Sequence, residues 1–322
     1  MGKHQYRLFL MILFSFLFSF SALAKDSISD ILSGYETKKI AEHTWVIPGP
    51  LEGPNPENRG FMNNPAFVIT DKSVIVIDPG GTVEVGRSLL KRIQKQTKNP
   101  VTHVFNSHVH GDHWLGNQAF VEANKKVKIY AHPKMIELAK EGEGQVWVDR
   151  MLRLTNGASK ETVVTLPTDA LKDQQEIKID NITIKVHLNE KAHTVTDAMY
   201  EVVEDKVLIT GDNAFNNRAP RLDDGSYIGN MAVMDKAMKL PIKIVVPGHG
   251  PVGGKEILEN FKEFLSLVYN TTKKEMENDL EAHEIKPKVI ALMGKFKDWI
   301  NYEGAIGKLV SVAALEVEEN DF

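Results

Sequence analysis

The chain has 322 residues, 42% hydrophobic and 25% charged, with 39 basic against 43 acidic side chains, a formal net charge of -4 and no cysteine. This is the composition of a folded globular protein, which excludes disordered, collagen-like and disulfide-stapled scaffolds, and the near-even charge balance argues against a nucleic-acid-binding surface. Without cysteine there is no thiolate nucleophile, no Cys-ligated zinc and no iron–sulfur cluster, so any metal must be held by His, Asp and Glu.

The first element is a targeting pattern. Lys3, His4 and Arg7 precede an uncharged run from Leu8 to Leu23 rich in leucine and phenylalanine (Phe9, Phe14, Phe16, Phe18, Phe20), and Ala22-Leu23-Ala24 then leads into Lys25-Asp26. Basic, apolar and small-residue regions in this order make a secretory signal peptide. The apolar run is shorter than the ~20 residues of a membrane span. Residues 1–24 are therefore expected to be removed, leaving an exported chain in the periplasm or secreted, with no membrane anchor.

The mature chain reads as strands alternating with helices. Residues 45–47 are a short apolar strand, and the Pro/Gly/Asn-rich stretch 48–65 holds no regular element. Residues 66–70 and 73–77 are β-branched runs hinged at Asp71-Lys72, a hairpin signal. Residues 83–97 have helical spacing, with Val85, Leu89, Leu90 and Ile93 on one face. Residues 101–106 form a buried strand that runs directly into Ser107-His108-Val109-His110-Gly111-Asp112-His113. A charge-rich helical insertion covers 134–159. The order then recurs: strands over 176–188 and 198–210, a helix over 231–239, and an apolar strand over 242–246 ending at Pro247-Gly248-His249-Gly250. A helix over 255–270 has core spacing, and the tail from Thr271 continues the helical pattern. Such alternation predicts an α/β layered domain over residues 25–270 with a helical extension over 271–322.

The chemistry concentrates in His108-x-His110-x-Asp112-His113. Three imidazoles and a carboxylate directly after a buried strand are costly to place unless a divalent ion pairs with them. On a flexible loop, His108 and His110 would face one side and Asp112 and His113 another, so that one loop serves two adjacent metal positions. His193, Asp212 and His249 each follow a predicted strand, where α/β folds gather their functional residues.

These residues, with Gly211-Asp212, Pro247-Gly248-His249-Gly250 and Val76-Ile77-Asp78-Pro79-Gly80, resemble the metallo-β-lactamase superfamily over roughly residues 44–264. The resemblance implies an αββα sandwich of two mixed β-sheets flanked by helices, with two zinc ions per chain at one edge. Carried over by residue, His108, His110 and His193 would hold the first zinc and Asp112, His113 and His249 the second. Asp212 stands where branches similar to glyoxalase II place a bridging carboxylate, whereas the zinc β-lactamases proper have Cys or Ser near that place. Loops around residues 56–60 and 80–81 resemble exported hydrolases associated with quinoprotein and sulfur-oxidation clusters.

The implied activity is zinc-dependent hydrolysis of a carbonyl-type bond (amide, lactone, thioester or ester) in a small molecule. Two ions about 3.5–4 Å apart would share a water and lower its pKa toward ~7, with Asp112 helping to orient the resulting hydroxide while remaining a ligand. β-Lactam hydrolysis, a di-iron redox protein and a non-catalytic metal-binding accessory protein are the alternatives. Asp78, and after it Asp197, are candidates to hold the second ring nitrogen of a ligand histidine. Trp114, Asn213, Asn217, Arg218 and Arg221 are candidates to meet substrate, and residues 48–65 and 142–157 to act as flaps.

Overall fold

Alternation along the strands decides the layering. A computed structural model describes residues 30–321, so the expected signal peptide at 1–24 lies outside the described residues; the chain from Ile31 onward forms one compact unit. One sheet runs in the order β1 (Lys38–Lys39), β2 (Thr44–Val46), β3 (Ala66–Ile69), β4 (Val74–Ile77), β5 (Val101–Phe105), β6 (Lys128–Ala131) and β7 (Asp169–Ala170). The other holds β8 (Glu176–Ile179), β9 (Ile182–Asn189), β10 (Asp197–Val202), β11 (Val207–Phe215) and β12 (Ile244–His249), in the order β12-β11-β10-β9-β8. Both sheets are mixed: β1 to β4 pair antiparallel and β4 to β7 parallel, while β8 to β11 pair antiparallel and β11 to β12 parallel.

All four residues of β4 are buried because the strand has a core on each side. Ile75 and Ile77 join Phe105, Tyr200, Val202 and Ile209 between the two sheets, while Val74 and Val76 join Val85, Leu89 and Phe120 on the other face. The period of two that places successive side chains on opposite faces thus feeds two apolar layers at once. The helices are α1 (Val83–Gln96), α2 (Gly111–Trp114), α3 (Asn117–Ala123), α4 (Pro133–Leu138), α5 (Gly144–Leu154), α6 (Tyr227–Met238), α7 (Glu256–Met276), α8 (Ala282–Leu292) and α9 (Tyr302–Asp321). Thr82 caps α1 by accepting from the Val85 amide, and Ser226 caps α6 by accepting from the Gly229 amide, so both helices start at a satisfied turn. Helices α1 and α3 cover the first sheet and α6 and α7 the second. The result is the expected αββα sandwich.

The helical extension does not stand apart from this core. Ile285 and Val289 of α8, with Ile306, Val310 and Val317 of α9, lie in the same buried cluster as Phe261, Leu265 and Val268 of α7. The Glu316 carboxylate accepts from Ser226 Oγ and the Tyr227 amide at 2.6 Å and from the Ile228 amide at 3.1 Å. A buried anion on α9 therefore satisfies the open N–H groups at the start of α6. No helix among the described residues is long and apolar enough to cross a membrane.

Candidate metal centre

Each of the seven sequence-derived donors arrives at the same end of the two sheets. The chain leaves β5 at Phe105, and His108 and His110 follow in the connection to α2. The motif segment, expected as a flexible loop, instead closes into a short helical turn: the His113 amide donates to the His110 carbonyl at 3.1 Å and the Leu115 amide to Gly111 at 3.2 Å. The turn keeps Asp112 and His113 beside His108 and His110, with the His108 and His113 ring centroids 4.4 Å apart, and Trp114 Nε1, donating to the Val109 carbonyl at 2.8 Å, pins the turn to the core. His193 lies in the bend between β9 and β10, and His249 is the last residue of β12. Asp212, expected just beyond a strand, sits within β11, which continues to Phe215 through register shifts at Gly211. Gly211 has φ +52°, and a Cβ on Gly248 would collide with the Asp212 carboxylate, so these two glycines let Asp212 lie against the end of β12.

The donors fall into two sets. His108, His110, His193 and Asp212 form one and Asp112, His113 and His249 the other, with the candidate ligand atoms of each set within 4.8 Å of one another and every residue buried. Asp212 faces both. Its Oδ2 is 3.5 Å from His193 Nε2 and 3.9 Å from His108 Nε2, while its Oδ1 is 3.0 Å from His113 Nε2 and 3.3 Å from His249 Nε2. Asp112 Oδ2 completes the second set, 3.2 Å from His249 Nε2 and 3.5 Å from His113 Nε2. His110 Nδ1 and His193 Nε2 approach to 3.0 Å in the first. Four nitrogen ligands around an ion with ~2.0–2.1 Å bonds stand about 3.3 Å from one another, so these separations suit donors that share a small divalent cation.

The outer nitrogens of the rings support that assignment. His113 Nδ1 is 2.8 Å from Asp78 Oδ2, His249 Nδ1 is 2.9 Å from the Met62 carbonyl, and His110 Nε2 is 3.1 Å from Asp224 Oδ2. A neutral ring that donates outward presents a bare lone pair inward. The His113 and His249 Nε2 lone pairs then face carboxylate oxygens, an arrangement of acceptors that needs a cation between them. Buried His108 Nε2 and Asp212 Oδ1 correspondingly have no hydrogen-bond partner. The residues fit a pair of divalent ions.

The local field carries the same signature. Burial opposes charge on His113, yet the carboxylates of Asp212, Asp112 and Asp78 overcome it and hold the ring well above its usual pKa when no ion is bound. Burial also opposes ionisation of Asp112 and Asp212, but His113 and His249 hold both carboxyls well below the usual range. Burial pushes His193 down to about 3. A proton and a metal thus compete for one set of lone pairs.

Of the two carboxylates expected behind the ligand rings, Asp78 takes that place and Asp197 does not. Asp78 adopts φ +51° and accepts from the Ser107 amide and Ser107 Oγ, each at 2.7 Å, as well as facing His113. Asp197 instead holds the bend around His193, accepting from the Thr194 amide at 2.8 Å and Thr194 Oγ1 at 2.7 Å, and burial pushes its carboxyl up to about 7. Changing Asp78 to Ala should weaken metal affinity by about 10- to 100-fold, the usual cost of losing a group that orients a ligand ring. Titration with a competing chelator checks this; an affinity equal to wild type would assign Asp78 to the turn alone.

His110, Asp112, His193, Asp212 and His249 floor a cavity of about 640 Å³. Met62 and Trp147 line it, which brings the stretches 48–65 and 142–157 to its rim as expected. Trp114 does not line it; the helical turn directs its ring into a buried cluster with Leu115, Met135 and Met151. Arg218 and Arg221 do line it. Asn213 is buried with its amide donating to the Thr210 carbonyl at 3.0 Å, and Asn217 is exposed, so neither reaches the cavity. Arg218 is half-buried, has its guanidinium 3.5 Å from His249 Nδ1, and makes no ion pair among the described residues. Sequence reasoning also missed Asp224 and the wall supplied by α9.

The chain is 23% identical over 272 residues to a metallo-beta-lactamase type 2 of Bacteroides fragilis, covering 82% of this chain and 98% of that one. It is 22% identical over 263 residues to a linear primary-alkylsulfatase of a Pseudomonas species, covering 68% of this chain and 48% of that one. Among solved structures, a metallo-beta-lactamase from Pontibacter korlensis superposes with a TM-score of 0.58 at 20% identity over 72% of this chain and 99% of that one. A variant of the sec-alkyl sulfatase PisA1 does so with a TM-score of 0.69 at 20% identity over 87% of this chain and 49% of that one. The chain thus spans about half the length of each alkyl sulfatase it matches. The sequence pattern of the metallo-beta-lactamase superfamily matches residues 59–249, which contain every donor described above, and the chain belongs to that superfamily of metallo-hydrolases.

Proposed function

We propose that this protein is an exported zinc-dependent hydrolase that cleaves a carbonyl-type bond, an amide, lactone, thioester or ester, in a small molecule. The observation that carries this reading is the Asp212 carboxylate facing both donor sets, one oxygen to each. An all-imidazole and carboxylate donor set suits zinc. Two ions held there would supply a water activated near neutral pH and a Lewis acid for the scissile group. The chain's own contribution is to position those donors, through Asp78, Asp224 and the Met62 carbonyl, and to exclude bulk water from the buried floor. Asp112 belongs to the second set and lines the cavity, where it would orient the nucleophile while remaining a ligand. Export rests on the sequence of residues 1–24.

Sulfate-ester hydrolysis is a second reading. It draws on the alkylsulfatase relative and on Arg218, an unpaired cation beside the metal floor suited to an oxyanion. The test is a panel on metal-replete protein that sets nitrocefin, a thioester, a lactone, an aryl ester and an aryl sulfate side by side, with elemental analysis of the same sample. Turnover of a carbonyl substrate with zinc bound supports the first reading; turnover of the sulfate alone selects the second, and no turnover of any refutes both.

A further inference from the structure

The far wall of the cavity is built by residues beyond the superfamily match, which ends at residue 249. Asn301, just before α9, and Gly304, Ala305, Lys308 and Leu309 within it line the same cavity as Asp112 and His249. Their spacing of three and four residues puts them on one side of the helix.

This wall is tied to the cation beside the metal floor. Ala219 donates its amide to the Ile300 carbonyl at 2.9 Å and Ile300 donates to the Asn217 carbonyl at 3.0 Å, a backbone ladder that brackets Arg218. Lys308 Nζ meets Asp223 Oδ2 at 2.6 Å, and Arg221 Nε donates to the same oxygen at 2.8 Å. Asp223 is thereby neutralised, while Arg218 keeps its charge for an occupant of the cavity. The surface of the wall has a different character. Nothing lies within 4 Å of where a Cβ on Gly304 would stand, so the absent side chain leaves open space at the rim. Leu309, Ala305, Met151, Leu154 and Trp147 give the same cavity an apolar share of its lining.

We propose that α9 is the substrate-selecting wall of this metal centre, receiving the apolar group of a substrate across Gly304 and Leu309 while Arg218 meets its negative charge. The proposal rests on the hydrolase reading only in calling the occupant a substrate, because the binding can be measured without turnover.

The experiment titrates the metal-replete protein calorimetrically with straight-chain alkyl sulfonates from ethyl to octyl, and with the neutral alcohols of the same lengths. Sulfonate affinity should rise by about fourfold per methylene that the wall buries, and each alcohol should bind at least about tenfold more weakly than its sulfonate. Gly304→Leu and Gly304→Trp fill the open space with better helix formers. Both should flatten the dependence on chain length while keeping the wild-type melting temperature, and using two variants keeps the readout if one folds poorly. Arg218→Gln should weaken every sulfonate about tenfold or more and leave the chain-length slope intact. An unchanged slope in the folded Gly304 variants, or alcohols binding as tightly as sulfonates, overturns the proposal. Sulfonates behaving as described, with no member of the substrate panel turned over, would leave the wall standing and remove the hydrolase reading; turnover without any chain-length response would do the reverse.

Discussion

Changing Asp212 to Ala should lower hydrolysis by about 10³-fold or more, since the metals' share of transition-state stabilisation is several kcal/mol and each 1.4 kcal/mol is tenfold. The expectation follows from the two faces of the carboxylate: Oδ2 belongs with His108 and His193, and Oδ1 with His113 and His249. Losing it takes a ligand from both sets at once. The loss also leaves His113 and His249 without one of the carboxylates that offset their burial. Asp112→Ala should abolish turnover to a similar extent by a narrower route, since Asp112 belongs to the second set alone. Elemental analysis separates the two variants: the Asp112 variant should keep about one ion per chain, while the Asp212 variant should retain neither tightly. Circular dichroism of both should remain close to wild type. Wild-type-like turnover in either variant would remove the roles assigned here.

Ending the chain at Asp298 should leave a protein that does not fold to a soluble domain. The deletion removes Tyr302, Ile306, Leu309, Val310, Ala313 and Val317 from the cluster that also holds Tyr227, Phe261 and Phe264. Their burial is worth on the order of 10 kcal/mol, at ~1.5–3 kcal/mol for each larger side chain. The missing helix no longer bears its ordering cost, but the retained faces of α6 and α7 would expose apolar surface that the domain now covers. That gross burial is comparable with the ~5–15 kcal/mol stability of a whole domain. Glu316→Ala isolates one part of this effect. It leaves the first N–H groups of α6 without their acceptor and should cost about 1–3 kcal/mol, read as a melting temperature lowered by several degrees. A truncated chain that melts cooperatively near wild type would show the extension to be dispensable.

Much of the fold was legible because the strands alternate so cleanly. Residues 66–70 and 73–77, read as a hairpin, are β3 and β4 within a residue at each end, and 83–97 is α1 to the same precision. The donor set was legible for a chemical reason: three histidines and an aspartate crowded after a buried strand have few other uses. What stayed hidden depended on direction in space. Trp114 adjoins His113 in sequence, but successive residues of a helical turn point about 100° apart, so its ring enters the core and Trp147 takes the cavity wall instead. Asp78 follows β4 and Asp197 opens β10, and only Asp78, on a left-handed backbone, turns its carboxylate toward a ligand ring. Asp224 follows another aspartate in an irregular segment, where nothing local tells which of the two reaches His110. The short β6 has an exposed Lys128 at its start and too few residues to show a period. The tail's periodicity announced an amphipathic helix without saying what that helix faces.

The wide spacing of the donors along the chain has a consequence for the order of assembly. Four of the seven lie between residues 108 and 113, and the last arrives at residue 249. A nascent or partly folded chain therefore presents only an open fragment of each set, with too few ligands to close around an ion. Metal capture must be a late event, after the second sheet has docked on the first and brought His193, Asp212 and His249 to the motif turn. The ion then acts as a latch that closes on a nearly finished molecule, and its availability decides how much of the protein becomes competent without having guided the chain to its fold.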